Sequence, residues 1–291
     1  MPARRPVSPR PAARHTGQYQ RNGGTHELVR ADPGGGRPAW YWHRVVPELR
    51  ALGHEVVAVD LPGPDERAGL PEYAAAVVTA IGGRRDAVVV AQSMGGFTAP
   101  MACARAPVRL LVLVNAMIPL PGETPGDWWG RTGWEPARVA AAQAGGYPAE
   151  VDLAEYFLHD VPAEVAAEGE AHALNEADIA FGQPCAIDRW PDVPTRVVAG
   201  RDDRFFPLEF QREVARERLG TGVDEVPGGH LAALSRPAEL TDQLTRYLGT
   251  VGNAAMTAAR SADQERVIPR PGQSLRVTAY PEPDLRGPVG I

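Results

Sequence analysis

The sequence contains no lysine: all 30 of its basic residues are arginine. That excludes a Schiff-base lysine holding pyridoxal phosphate, a P-loop lysine gripping a nucleotide and the strand lysine of a protein kinase. Cysteine is nearly absent too. Cys103 and Cys185 lack metal-type spacing and offer a single pairing, too few for a disulfide framework. A reducing, cytoplasmic setting is therefore expected. Long apolar runs are missing. The best, Leu110 to Leu120, is interrupted by Asn115 and Pro119 and falls short of the ~18 residues of a membrane span. The opening MPARRPVSPRPAARHTG has arginines but no apolar segment behind them, which is not the pattern of a secretory signal. No membrane partner is expected.

Positive charge is scarce where hydrophobic patterning is strongest. Residues 39–249 hold 18 arginines against 30 acids, a net charge of −12, although the whole 291-residue chain is only −6. Nucleic-acid binding needs a clustered positive face, so a nucleic-acid partner is not expected. The ends differ in composition: residues 1–38 are net +5 and 250–291 net +1, both rich in Pro, Gly and Arg. Residues 1–24 are expected to be a disordered arm and 250–291 a disordered tail, flanking one domain over 25–249.

Inside that domain strand and helix alternate. Strands are expected at Glu55–Asp60, Asp86–Ala91, Arg109–Asn115, Thr195–Ala199 and Gly222–Val226, with a further one at His26–Ala31. Helices are expected at Ala39–Leu52, Pro71–Ile81, after Ser93, at Leu208–Leu219 and at Pro237–Leu248. Strands apolar on both faces and separated by helices describe an α/β fold: a mostly parallel sheet, here of about six strands, covered by helices on both sides. Residues 116–192 break the rhythm. They show amphipathic turns and aromatic residues without a buried strand, as expected of a helical insertion.

The sharpest chemical signal is Ala91-Gln92-Ser93-Met94-Gly95-Gly96, which ends an apolar strand and opens a helix. It is a nucleophile elbow of the Gly-x-Ser-x-Gly type with alanine in the first position. The tight turn lifts the serine hydroxyl above the sheet edge and aims the Met94 N–H, at a helix N-terminus, toward a developing oxyanion. A serine needs a base, and His230, in Pro227-Gly228-Gly229-His230-Leu231 after the last strand, is the candidate. The base needs an acid. The strand ending Val198-Ala199-Gly200 is followed by Asp202 and Asp203. Asp203, ahead of Phe206-Pro207, is favoured, with Asp202 left to face solvent or cap the loop. The order Ser…Asp…His is that of α/β-hydrolases.

With those residues in place, the chain over about 34–247 resembles the α/β-hydrolase superfamily. The stretch Ala39-Trp40-Tyr41-Trp42-His43-Arg44, the step Leu52-Gly53-His54-Glu55-Val56 and the strand end Asp60-Leu61-Pro62-Gly63 resemble its small methylesterase and hydroxynitrile-lyase-like branch. The resemblance puts Ser93, Asp203 and His230 on the family's triad. It also implies a second oxyanion donor at Gly35, where Pro33-Gly34 takes the place of the family's His-Gly pair. The insertion corresponds to the family's lid. Phe97, Trp128 and Trp129 are candidate walls of an acyl or alcohol pocket, although each lid aromatic taken singly is more simply explained by packing the lid onto the body.

One departure stands out. The family's first strand is apolar, and here it reads Glu27-Leu28-Val29-Arg30-Ala31-Asp32. Unpaired charges are costly inside a sheet, so this segment is expected to be poorly paired. The expected activity is cleavage of a small to medium carboxylic ester through an acyl-enzyme, with no cofactor and no metal. A lyase or C–C hydrolase on the same triad, or a non-catalytic ligand-binding protein of the same fold, are the alternatives.

Overall fold

A computed structural model describes residues 28–32, 39–172 and 178–250, with residues 28–32 described as backbone only. The proposed arm, the tail beyond Thr250 and Gly35 lie outside the described residues.

The sheet has six parallel strands: β1 (Leu28–Asp32), β2 (Glu55–Ala58), β3 (Ala87–Gln92), β4 (Leu110–Val114), β5 (Thr195–Gly200) and β6 (Asp224–Val226), in the order β2-β1-β3-β4-β5-β6. The backbone corrects the expectation for the first strand. Leu28–Asp32 pairs with β2 on one side and β3 on the other, so it is an interior strand. Charge in the sequence masked what the neighbouring backbones dictate: β2 and β3 each present a full row of hydrogen-bonding groups, and β1 satisfies both rows.

Period-two alternation sends successive side chains to opposite faces. Val89, Ala91, Leu111, Leu113 and Val197 point to one face, where α2 (Leu70–Ile81), α3 (Gly95–Cys103) and α8 (Leu208–Leu219) cover them with Tyr73, Val77, Phe97 and Phe210. Val88, Val90, Leu110, Val112 and Val198 point to the other. There α1 (Val45–Ala51) and the last helix, α10 (237–250), supply Leu49, Leu240 and Leu244. Between α10 and β6 lies the single turn α9 (Ala232–Ser235).

The helix expected over Ala39–Leu52 is two pieces, a 3-10 turn at Ala39–Trp42 and then α1. Pro47 gives the physical reason. It lacks an N–H and its ring collides with the carbonyl four residues back, so it is tolerated only in a first turn.

Between β4 and β5 the described residues form helices and no strand: α4 (Pro125–Arg131), α5 (Trp134–Gly145), a π-helical turn at Ala154–Leu158, α6 (Ala163–Glu170) and α7 (Ile179–Gly182). The root of this insertion is tied to α8 by a buried ion pair. Arg218 meets both carboxylate oxygens of Glu123, the Nη2–Oε1 distance being 3.1 Å, and also donates to the Ile118 carbonyl. The two side chains are only 9% and 0% exposed, so each charge relies on the other for its solvation. Among the described residues no helix is long and apolar enough to cross a membrane.

Candidate active site

Three loops at the carboxyl ends of β3, β5 and β6 meet above the sheet. The strand order reverses between β1 and β3, and crevices at such a switch point are where open α/β sheets bind ligands. Ser93 follows β3 directly. Its φ is +53°, a left-handed conformation that non-glycine residues hold only when the surroundings impose it. Those surroundings are visible. Ser93 N–H donates to the carbonyls of Val114 and Asn115, and its own carbonyl accepts from Gly96 and Met117. Gly96 permits that approach, since a Cβ there would lie 1.7 Å from the Met117 carbonyl oxygen. Met94 stands at the N-cap of α3.

His230 Nε2 lies 3.1 Å from Ser93 Oγ, and His230 Nδ1 lies 2.9 Å from Asp203 Oδ2. The carboxylate at Nδ1 selects the tautomer with its proton there, leaving Nε2 to accept from the serine hydroxyl. Asp203 Oδ1 accepts from the Phe205 and Phe206 N–H groups at 2.8 Å each, and Gln211 Nε2 reaches Oδ2 at 3.4 Å. The carboxylate plane is thereby fixed. The neighbouring Asp202 instead accepts from Gly228 N–H at 3.0 Å and returns its own N–H to the Gly228 carbonyl. Ser93 is partly exposed while His230 is fully buried. Phe157, Phe205 and Phe206 surround the imidazole at ring-centroid distances of 5.0–5.2 Å, each steeply inclined to it. This aromatic collar keeps water from the ring's flanks.

Two polar side chains that the sequence did not single out hold the base loop. Asn115, just past β4 with φ +44°, donates through Nδ2 to the carbonyls of Gly229 (3.0 Å) and His230 (3.1 Å). Its Oδ1 accepts from Gly200 N–H at 2.6 Å. Gln92 Nε2 also donates to the His230 carbonyl, at 3.2 Å. The signal for Asn115 was an amide residue ending an otherwise apolar strand, a residue type that tolerates positive φ.

Gly200 has a steric role here. A Cβ on it would fall 2.5 Å and 2.6 Å from the carbonyl oxygens of Gly228 and Gly229. Gly200→Ala is therefore expected to push the base loop off its seat. A displacement of about 1 Å at reacting groups costs on the order of 100-fold in rate. Rates of ester hydrolysis, read beside a thermal melt, test whether activity falls further than stability.

The proposed pocket residues are placed as follows. Phe97 and Trp128 are enclosed in the core, with Trp128 donating Nε1–H to the Ile118 carbonyl and packing edge-on against Phe210. Trp129 is partly buried against Trp134, Phe205 and Phe206. These aromatics bind the insertion to the body. A cavity of about 850 Å³ opens on the acid side of the site, between α5 and the start of α8. His159, Asp160, Asp202 and Asp203 line it, and Phe97, Trp128 and Trp129 do not.

Neither cysteine has the character of an activated thiol. Burial pushes both thiols up to about 12, so neither is a thiolate at neutral pH. Among the described residues no three His, Cys, Asp or Glu side chains gather as a metal site.

Known proteins share this arrangement of elements. A family model described as the alpha/beta hydrolase family matches residues 31–243. Similar proteins include Esterase PIR7B of Oryza sativa subsp. japonica, 27% identical over 243 residues that span 72% of this chain and 90% of the rice protein. Methylesterase 8 of Arabidopsis thaliana is 26% identical over 238 residues, spanning 71% of this chain and 84% of that protein. Among solved structures, polyneuridine aldehyde esterase superposes with a TM-score of 0.64 at 19% identity, over 77% of this chain and 99% of the other.

Proposed function

The chain belongs to the alpha/beta hydrolase family, and from that premise we propose that it is a serine hydrolase cleaving small to medium carboxylic esters through an acyl-enzyme. One observation carries the proposal above the rest: the unbroken hydrogen-bond chain from Ser93 Oγ through His230 to Asp203 Oδ2. In this mechanism Ser93 Oγ attacks the ester carbonyl carbon as its proton passes to His230 Nε2. Asp203 holds the imidazole in register and offsets the positive charge it acquires. The N–H of Met94, and that of Gly35 by family resemblance, stabilise the oxyanion. His230 then returns the proton to the departing alkoxide. A water molecule, deprotonated by the same His230, attacks the acyl-enzyme and restores Ser93.

The esterase and methylesterase names of the relatives favour an ester over the lyase and C–C hydrolase alternatives. A fluorophosphonate probe is expected to label the protein once, on Ser93. A panel of small methyl, ethyl and aryl esters is expected to include substrates. Absence of labelling, with no ester turned over, would identify an inert ligand-binding protein instead.

A further inference from the structure

The base loop is made of residues with little conformational restraint of their own. Gly228 has φ +104° and Gly229 has no side chain, so something outside the loop must fix His230. Its backbone groups are held one by one. Asp202 takes the Gly228 N–H, Asn115 takes the Gly229 and His230 carbonyls, and Gln92 takes the His230 carbonyl a second time. These three side chains stand on or just beyond the strands of the sheet. The Gly229 N–H is held from elsewhere: Asp160 Oδ2 accepts it at 2.8 Å. Asp160 lies in the insertion, two residues past the π-helical turn.

That turn grips the other loop as well. Arg204, next to Asp203, pairs with the Glu155 carboxylate and donates to the Glu155 carbonyl at 3.3 Å. Phe157 meets the His230 ring edge-on. The two glycines gain a second purpose from this arrangement. A Cβ on Gly229 would fall 2.9 Å from Asp160 Oδ1 and 2.7 Å from His159 Cε1, so only a glycine admits the carboxylate. π-Helical turns are rare and concentrate at functional sites, and here Glu155, Phe157, His159 and Asp160, in and just after one, meet the two loops.

We infer that Asp160 is a positioning residue for the base: through the Gly229 N–H, the insertion sets where His230 Nε2 stands relative to Ser93 Oγ. The inference rests on the Ser93–His230–Asp203 reading and adds that the insertion, beyond covering the site, completes its geometry.

The test uses the full-length protein. Phosphonylation of Ser93 by a fluorophosphonate, kcat and KM on a small ester, and thermal melts are compared for wild type, Asp160→Ala, Asp160→Asn and the surface control Glu164→Ala. Asp160→Ala is expected to lower kcat and the phosphonylation rate together by about ten-fold, the equivalent of one hydrogen bond to a charged acceptor. KM is expected to stay within about two-fold, because a positioning contact acts on the reacting geometry rather than on ground-state binding. Asp160→Asn keeps an oxygen for the Gly229 N–H and is expected to recover most of the rate, and Glu164→Ala to match wild type. If Asp160→Ala melts below the assay temperature, Asp160→Ser replaces it, since its hydroxyl is too short to reach Gly229. Wild-type labelling rates in the Ala or Ser variant, or an Asn variant as slow as Ala, would overturn the inference while leaving the triad standing. A wild-type protein that resists the probe would overturn the triad reading and the inference with it.

Discussion

Ser93→Ala is expected to abolish ester turnover and fluorophosphonate labelling while leaving the melting temperature near that of wild type. The two halves of this outcome come from different atoms. Turnover depends on Oγ, the atom 3.1 Å from His230 Nε2, and loss of the nucleophile from a triad costs on the order of 10⁶ in rate. Folding depends on the Ser93 backbone, whose N–H and carbonyl are tied to Val114, Asn115, Gly96 and Met117 whatever the side chain. Alanine and serine both carry a Cβ, so the strain of φ +53° is nearly unchanged. Activity surviving above about a thousandth of wild type would show that another group attacks the substrate.

Asp203→Asn is expected to cost about 10⁴ in kcat, the size of loss found when a triad aspartate becomes asparagine. Asp202→Asn is expected to cost only a few-fold. The carboxylate of Asp203 accepts on both oxygens, from two backbone N–H groups at Oδ1 and from His230 Nδ1 at Oδ2. An amide has one oxygen to offer. With its NH₂ toward His230, Nδ1 must become the acceptor, and Nε2 then carries the proton and can no longer take one from Ser93. With its NH₂ reversed, it faces the N–H groups of Phe205 and Phe206. The Asp202 carboxylate accepts from the Gly228 N–H, which an asparagine oxygen accepts equally well. Steady-state rates of the two variants on one ester decide the matter, and the reverse ranking would move the acid to Asp202.

The parts of this fold that were legible in the sequence are those whose causes are local. β3 and β4 announce themselves as apolar runs because both faces of each strand are covered. Leu208–Leu219 is marked by its own periodicity, with Pro207 before it and Gly220 after it. The elbow shows because the turn demands small residues close to the serine in sequence. The break ahead of Pro47 was equally local and was missed, because Trp40, Val45, Leu49 and Leu52 fall near one face and suggested one continuous helix. Other features could not be read, since their causes lie far along the chain. Nothing near Leu28–Asp32 reveals that β2 and β3 flank it. Nothing near Asp160 or Asn115 says that residues 69 and 114 positions away will present a glycine backbone to them. The burial of Trp128 against Phe206 and Phe210 is likewise a property of the assembled core.

β4 and β5 pair as neighbours although roughly 80 residues of chain separate them. The entropy of closing a loop grows only with the logarithm of its length, by about 0.6 kcal/mol for each doubling. Compared with a ten-residue crossover, an 80-residue excursion is three doublings and costs about 2 kcal/mol. A few buried contacts at its base offset that, and the Arg218–Glu123 pair with the Trp128 ring sits there. The sheet is thus almost indifferent to how long the excursion is. Its length and content are free to change, provided that the few residues touching the two loops keep their places.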